Sequence, residues 1–405
     1  MAFLRKGPVA AALLGAVWMV TLAITAAVAV AFVTGEALRP NVLWSLLIGG
    51  GLGAGMLYVR APLLALMAGS IIIGAVLMAV GIGPILSSED TSLTARAIAV
   101  VALWASFALA QARTIAGLEP GSSDRHAFET SVIRFLTGFG YIFFTAIVAI
   151  PFWVMLMTSF KTRAEQVANP LDFGIDFSKG WDLFRSYEEL FTQFDFGLYL
   201  FNSFMISVIT VVITLLFAIP GAYAVARLRF AGQAAFSRGI LLIYMVPMIV
   251  LALPIYIAFS VTGLRNSIIG ILMIYPVTTI PVALYMLQGY FRGLPAEVEE
   301  AGLMDGLSRL MVIWKITLPL SLPALASVSL YVFMIAWNEF LLAFMLLDDP
   351  SKFTLTRGIA SLNSSEIPRQ HLMAGSVIAT VPIMALFLGL ERFMTKGLTA
   401  GSVKG

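Results

Sequence analysis

The stretch PAEVEEAGLMDGLSRLMVIWKITLP, running from Pro295 to Pro319, is a polar interval between two long apolar runs. Its residues prescribe their own local structure. Pro295 suits the first turn of a helix, and Glu297, Glu299 and Glu300 then set negative charge against the positive end of the helix dipole. Val298, Ala301, Leu303 and Met304 recur near helical spacing and form an apolar contact face. Gly306 permits a tight turn into a second helical piece, Ser308 to Lys315, which Pro319 and Pro323 break before the next apolar run. The spacing predicts two short helices joined by a turn, lying at a membrane surface.

Outward from this interval the chain reads as ten apolar segments, about 9–34, 41–59, 62–86, 95–116, 131–158, 197–225, 238–260, 267–289, 322–346 and 371–393. A bilayer core of about 30 Å needs about 20 helical residues, so each segment is a candidate span. The fold class is all-α, a polytopic membrane protein with about ten transmembrane helices. Lys and Arg gather in alternate intervals. Arg5, Lys6, Arg60, Arg113, Arg125, Arg134, Arg227, Arg229, Arg238, Arg292, Arg309, Lys315, Arg392, Lys396 and Lys404 fall on one side, against Arg39, Arg96 and Arg265 in the short loops of the other. Because Lys and Arg near span ends resist translocation, this asymmetry predicts that both termini and the 295–319 interval are cytoplasmic. The first segment has no small-x-small cleavage site and reads as a retained signal anchor. Of the outward intervals, 159–196 and 347–370 are long enough to receive a soluble partner.

Composition agrees: 60% of the 405 residues are hydrophobic and 12% charged, too apolar for a water-soluble fold. The absence of cysteine excludes disulfides and thiolate chemistry. The net charge of +3 reflects cytoplasmic loops and does not signal nucleic acid. Segments one to four are rich in Ala and Gly and nearly free of charge, and their glycines, Gly49 to Gly55 among them, fit close helix packing. A polar stretch then sets a boundary, giving an N-terminal four-helix extension over 1–117, a cytoplasmic linker over 118–130 and a six-helix unit over 131–405.

The run Glu300-Ala301-Gly302-Leu303-Met304-Asp305-Gly306, followed after nine residues by Ile316-Thr317-Leu318-Pro319, resembles the EAA loop of the permease subunits of binding-protein-dependent ABC importers. That pattern is Glu-Ala-Ala, three residues, Gly, nine residues, Ile-x-Leu-Pro; Gly302 stands where the family usually has its second Ala. Asn202-Ser203, Pro220-Gly221-Ala222-Tyr223-Ala224, Trp337-Asn338-Glu339-Phe340 and the C-terminal tail extend the likeness to the MalG-like branch that carries carbohydrates. The resemblance implies a type I importer permease unit in a bacterial inner membrane. It implies that Glu300, Ala301, Gly302, Asp305, Gly306, Ile316, Leu318 and Pro319 couple the membrane helices to an ATPase. It further implies that Gly401, Ser402, Val403, Lys404 and Gly405 contact that ATPase. The implied partners are two ATPase subunits, as a homodimer, a second permease subunit, an extracytoplasmic solute-binding protein and a sugar. ATP and Mg belong to the ATPase subunits.

The chain contains no Gly-x-x-x-x-Gly-Lys-Ser/Thr loop, so the energy for transport must come from another polypeptide. Within the spans Glu339 is conspicuous, because a buried ionisable group needs water, a partner or a cavity. With Asn202, Trp337 and Asn338 it is a candidate for the translocation path or, equally, for structural hydrogen bonding. Its near isolation argues against the alternative of an ion-coupled secondary transporter, which would gather several membrane acids around an ion site. His126 and His371 fall on opposite sides of the bilayer in this reading, and neither joins a triad or metal spacing, so a membrane enzyme is disfavoured.

Overall fold

The computed structural model describes residues 5–36, 38–59, 61–87, 91–169, 174–244, 246–364 and 366–399. The C-terminal tail Gly401–Gly405, and Arg60, lie outside the described residues. The chain packs as two compact units, Met1–Leu183 and Phe184–Gly405. This boundary in packing falls later than the boundary in composition at 118–130.

The first unit comprises α1 (Gly7–Thr34), α2 (Val42–Gly55), α3 (Leu63–Ala79), α4 (Leu93–Ile115), α5 (Arg125–Ser159) and the short α6 (Arg163–Ala168). A two-residue antiparallel pairing joins β1 (Arg39–Pro40) to β2 (Ile85–Leu86). The helices α1 and α2 touch backbone to backbone. A β-carbon on Gly53 would lie 2.6 Å from the Ala11 carbonyl oxygen, and one on Gly49 would lie 2.4 Å from Met19 Cβ. Only glycine admits that approach, as the small-residue pattern predicts. Gln111 of α4 donates to the Ala11 carbonyl at 2.9 Å and the Trp18 indole donates to Thr114 at 2.9 Å, which closes the bundle with buried polar bonds. Trp18 also meets Phe135 of α5 edge-on, at 5.0 Å between ring centroids. The linker is helical from Arg125 onward, and its earlier part is tied to the start of the chain by Gly7 N–H to Gly121 O at 2.9 Å and Ser123 N–H to Arg5 O at 3.1 Å.

The second unit begins with α7 (Arg185–Gln193) and α8 (Phe196–Arg227), followed by α9 (Gln233–Tyr244), α10 (Met248–Val261) and α11 (Ile268–Gly293). Next come α12 (Ala296–Met304), α13 (Arg309–Val312), a π-helical turn at Ile313–Thr317, and α14 (Leu318–Leu320). The chain continues through α15 (Leu322–Asn338), α16 (Leu341–Leu346), α17 (Leu355–Ser361) and α18 (Arg369–Thr399). One apolar core gathers Phe196, Ile206, Ile271, Tyr275, Phe333 and Trp337 between α8, α11 and α15; another gathers Ala222, Tyr223, Leu284, Leu287 and Phe291 nearer the α12 loop. Large apolar side chains such as Leu216, Leu253 and Ile269 face outward, which suits helices whose solvent is lipid.

Each apolar segment contains helix, and among the described residues six helices are each long and apolar enough to cross a membrane: α1, α4, α5, α8, α11 and α18. The other segments differ from a simple span. The segments at 41–59 and 62–86 yield helices of only 14 and 17 residues. The segment at 238–260 divides into α9 and α10, with Pro247 capping the start of α10 rather than lying inside a helix. The segment at 322–346 breaks at Glu339, whose backbone is extended (φ −65°, ψ 124°).

Candidate functional site

The interval 295–320 folds as two helical pieces joined by a turn. Pro295 caps α12, Glu297 and Glu299 occupy its first turn, and it ends in a Schellman motif. There Gly306 N–H donates to Leu303 O at 3.1 Å and Leu307 N–H donates to Gly302 O at 3.1 Å. Gly306 holds φ +83°, the left-handed conformation that a side chain would strain. Ser308 then caps α13 by accepting from Met311 N–H at 3.4 Å. The helix widens into a π turn where Pro319 offers no N–H to the Lys315 carbonyl, and Leu318 N–H bonds to Ile313 O instead. The piece Arg309–Leu320 meets α15 at an angle of 82°. It therefore lies across the end of that helix rather than continuing it.

The face that α12 buries is not the one its apolar spacing predicts. Glu299 and Gly302 point inward, whereas Val298, Ala301 and Met304 are exposed, Met304 at 87%. Gly302 packs on the second helical piece: a β-carbon there would lie 2.5 Å from Ile316 Cδ1. Among the predicted coupling residues, Glu300, Ala301, Asp305, Gly306 and Pro319 are exposed, and Ile316 and Leu318 are half-buried. Of that set, Gly302 is the one that packs inward. The outward surface is continued by Leu310 and Trp314, the latter 71% exposed.

In the sequence Glu299 has no more than a place among the acids at the start of the helix, but it is only 6% exposed and collects polar groups from two segments. Tyr223 of α8 donates to its carboxylate at 3.3 Å and Thr317 of the π turn donates at 3.0 Å. Arg227 Nε stands 3.4 Å away as an ion partner, outside hydrogen-bond geometry, while Arg227 Nη2 donates to Leu294 O at 2.7 Å. Removing one member of such a buried ion pair costs about 3–5 kcal/mol, against about 1 kcal/mol for an ordinary hydrogen bond. The charge therefore dominates the attachment of α12 to α8. The available signal was the placement of Tyr223 and Arg227 at i, i+4 on the last turns of a long helix, which puts both on one face.

The residues considered for a path sit at the other end of α8. Asn202 donates to the carbonyls of Ser351 and Phe353 at 3.0 and 3.1 Å, and Ser203 accepts from Leu355 N–H at 2.7 Å. Trp337 donates to Ala379 O at 3.1 Å. Glu339 caps α16, accepting from Leu342 and Ala343 N–H at 2.8 and 3.1 Å. The buried Tyr275 hydroxyl lies beside this carboxylate without a hydrogen bond of normal geometry. Asn338 is the exposed member of the set. No group of three or more His, Cys, Asp and Glu residues that could hold a metal occurs among the described residues.

Residues 218–399 match the family described as binding-protein-dependent transport system inner membrane component. The chain is 37% identical over 270 residues to the inner membrane ABC transporter permease protein YcjP of Escherichia coli (strain K12), covering 66% of this chain and 95% of that protein. It is 32% identical over 276 residues to the trehalose/maltose transport system permease protein MalG of Thermococcus litoralis, covering 67% of this chain and 97% of that protein. In fold it is similar to a chain of a bacterial ABC transporter involved in the import of the acidic polysaccharide alginate, with a TM-score of 0.55 and 24% identity, covering 65% of this chain and 97% of that one.

Proposed function

The chain belongs to the binding-protein-dependent transport system inner membrane components, the permease subunits of ABC importers, and from that premise we propose that it forms part of the membrane pathway of an ATP-driven sugar importer. The sugar assignment is supported by relatives named for trehalose and maltose, for arabinooligosaccharides and for diacetylchitobiose. A second permease subunit, two ATPase subunits and an extracytoplasmic solute-binding protein complete the proposed importer. ATP and Mg act on the ATPase subunits, and this chain is a non-enzymatic transport subunit with both termini cytoplasmic.

The observation that carries the reading is the outward surface of the 295–320 loop. Glu300 and Asp305 present charge there beside the exposed Met304, Leu310 and Trp314. Exposed apolar side chains rimmed by charge mark an interaction surface. In the proposed cycle, closure of the ATPase dimer moves this loop, and the packed helices rock between inward-facing and outward-facing states. For the path, we assign a role to Asn338 alone, because it is the exposed member of the set, its amide bonded only within its own helix to Met334 O at 2.9 Å, whereas Asn202 and Trp337 are buried and, like Glu339, tie separate segments together.

The test is purification of the tagged chain from native membranes in mild detergent, with mass spectrometry of what remains bound. An ATPase and a second permease are expected, and Glu300→Arg should release the ATPase while leaving the second permease bound. Recovery of the chain alone, under conditions that preserve other importers, would overturn the assignment.

A further inference from the structure

We propose that Glu299 is the positioning residue that passes motion of the 295–320 loop to the membrane helices, with α8 as the lever; this rests on reading the loop as the ATPase-facing surface. The carboxylate is buried between the loop and the end of α8, held by Tyr223 and Thr317 hydroxyls and facing Arg227, which also grips the Leu294 carbonyl. Displacing α12 must either carry the end of α8 with it or leave a buried charge unpaired, and the second course is the costly one. Glu300, exposed one position further on, makes no such demand.

The helix so gripped is long. With 32 residues α8 extends about 48 Å, well beyond the bilayer core, so that its two ends reach the two surfaces. At the end away from the loop, Asn202 and Ser203 hold the backbone of Ser351, Phe353 and Leu355. That strap is tied in turn to the break in the α15–α16 segment, where Thr356 donates to Glu339 O at 2.6 Å. One continuous helix thus joins a charged attachment at the loop to a strap on the opposite face. All of these contacts lie within the second unit.

The natural absence of cysteine allows single nitroxide labels on an otherwise unaltered chain. Labels at Glu297→Cys on the loop and Ser361→Cys at the end of α17 are read in the assembled importer, before and after trapping with Mg-ATP and vanadate. In the parent both labels should respond. In Glu299→Gln the ATPase subunits should remain bound, the loop label should respond as in the parent, and the α17 response should shrink about tenfold. A full α17 response in Glu299→Gln overturns the proposal, as does loss of the ATPase from that variant. A loop label that stays silent in the parent overturns instead the docking reading on which the proposal stands. Should Glu299→Gln fail to accumulate, Thr317→Val and Tyr223→Phe each remove one bond and are expected to weaken the α17 response partially; an undiminished response in both overturns the role of Glu299.

Discussion

The α1–α2–α4 bundle of the first unit and the α8–α11–α15 bundle of the second solve one problem differently. In lipid, apolar side chains gain little by leaving the solvent for one another, so helices need close backbone contact or polar bonds to associate. The first bundle uses contact: Gly49 and Gly53 let α2 settle against α1 at distances that admit no β-carbon. The second relies more on polar attachments at the ends of α8, with Glu299 at one and Asn202 and Ser203 at the other. A seam of touching backbones has one register, whereas side-chain bonds can break and re-form elsewhere. The attachments of the second kind lie in the unit that contains the family match, and the glycine seam lies in the other.

The sharpest way to break this contrast is Gly53→Leu. The added side chain meets the Ala11 carbonyl, which cannot rotate away, so α1 and α2 must separate at a cost of about 3 kcal/mol. Thermal unfolding in detergent should fall accordingly, while Gly51→Ala, where nothing lies within 4 Å, should be neutral or slightly stabilising. Equal effects from the two substitutions would show that the seam is looser than its geometry.

These two modes of attachment were unequally legible in the sequence. Glycines in an apolar run announce close packing, and the Gly306 turn and the Pro319 break follow from chemistry confined to one or two residues. Which face of a nine-residue helix turns inward is not local information. The Val298, Ala301 and Met304 spacing pointed to an apolar face, but Tyr223 and Arg227, far off in the chain, and Thr317, beyond the turn, make the charged Glu299 face the buried one. Breaks in apolar segments were equally hidden. Trp337 to Leu346 keeps the hydropathy of a span, and only the bonds from Leu342 and Ala343 to Glu339 reveal that a new helix starts there.

A smaller effect is expected from Asn202→Leu. It removes two donors and strands the Ser351 and Phe353 carbonyls, for a loss of about 2 kcal/mol. Because α8 is also held by the buried Thr214–Thr279 hydrogen bond to α11 and by the Glu299 attachment, the damage should stay local. Limited proteolysis at 347–370 should accelerate several-fold, with the first unit as resistant as before. Cleavage spreading into α1–α4 would mean that the two units do not hold their structure separately.

The smallest effect should come from Gly302→Ala, which restores the residue usual in the family and tests the contrast inside the second unit. The new methyl would lie 2.5 Å from Ile316 Cδ1, as tight as the contact at Gly53, but its neighbour is the tip of a flexible side chain and not a carbonyl. Turning Ile316 aside costs about 1 kcal/mol, and replacing glycine within a helix returns about as much. The net change in unfolding should therefore be below about 0.5 kcal/mol. Ile316→Val removes the clashing carbon and should cost about 1 kcal/mol alone but less in the Gly302→Ala background, since the added methyl occupies the space vacated. A double-mutant cycle measures that difference. If the two substitutions were additive, Ile316 would have moved freely all along, and the close fit of α12 on the second helical piece would not be what holds the loop in shape; the attachment would rest on Glu299 alone.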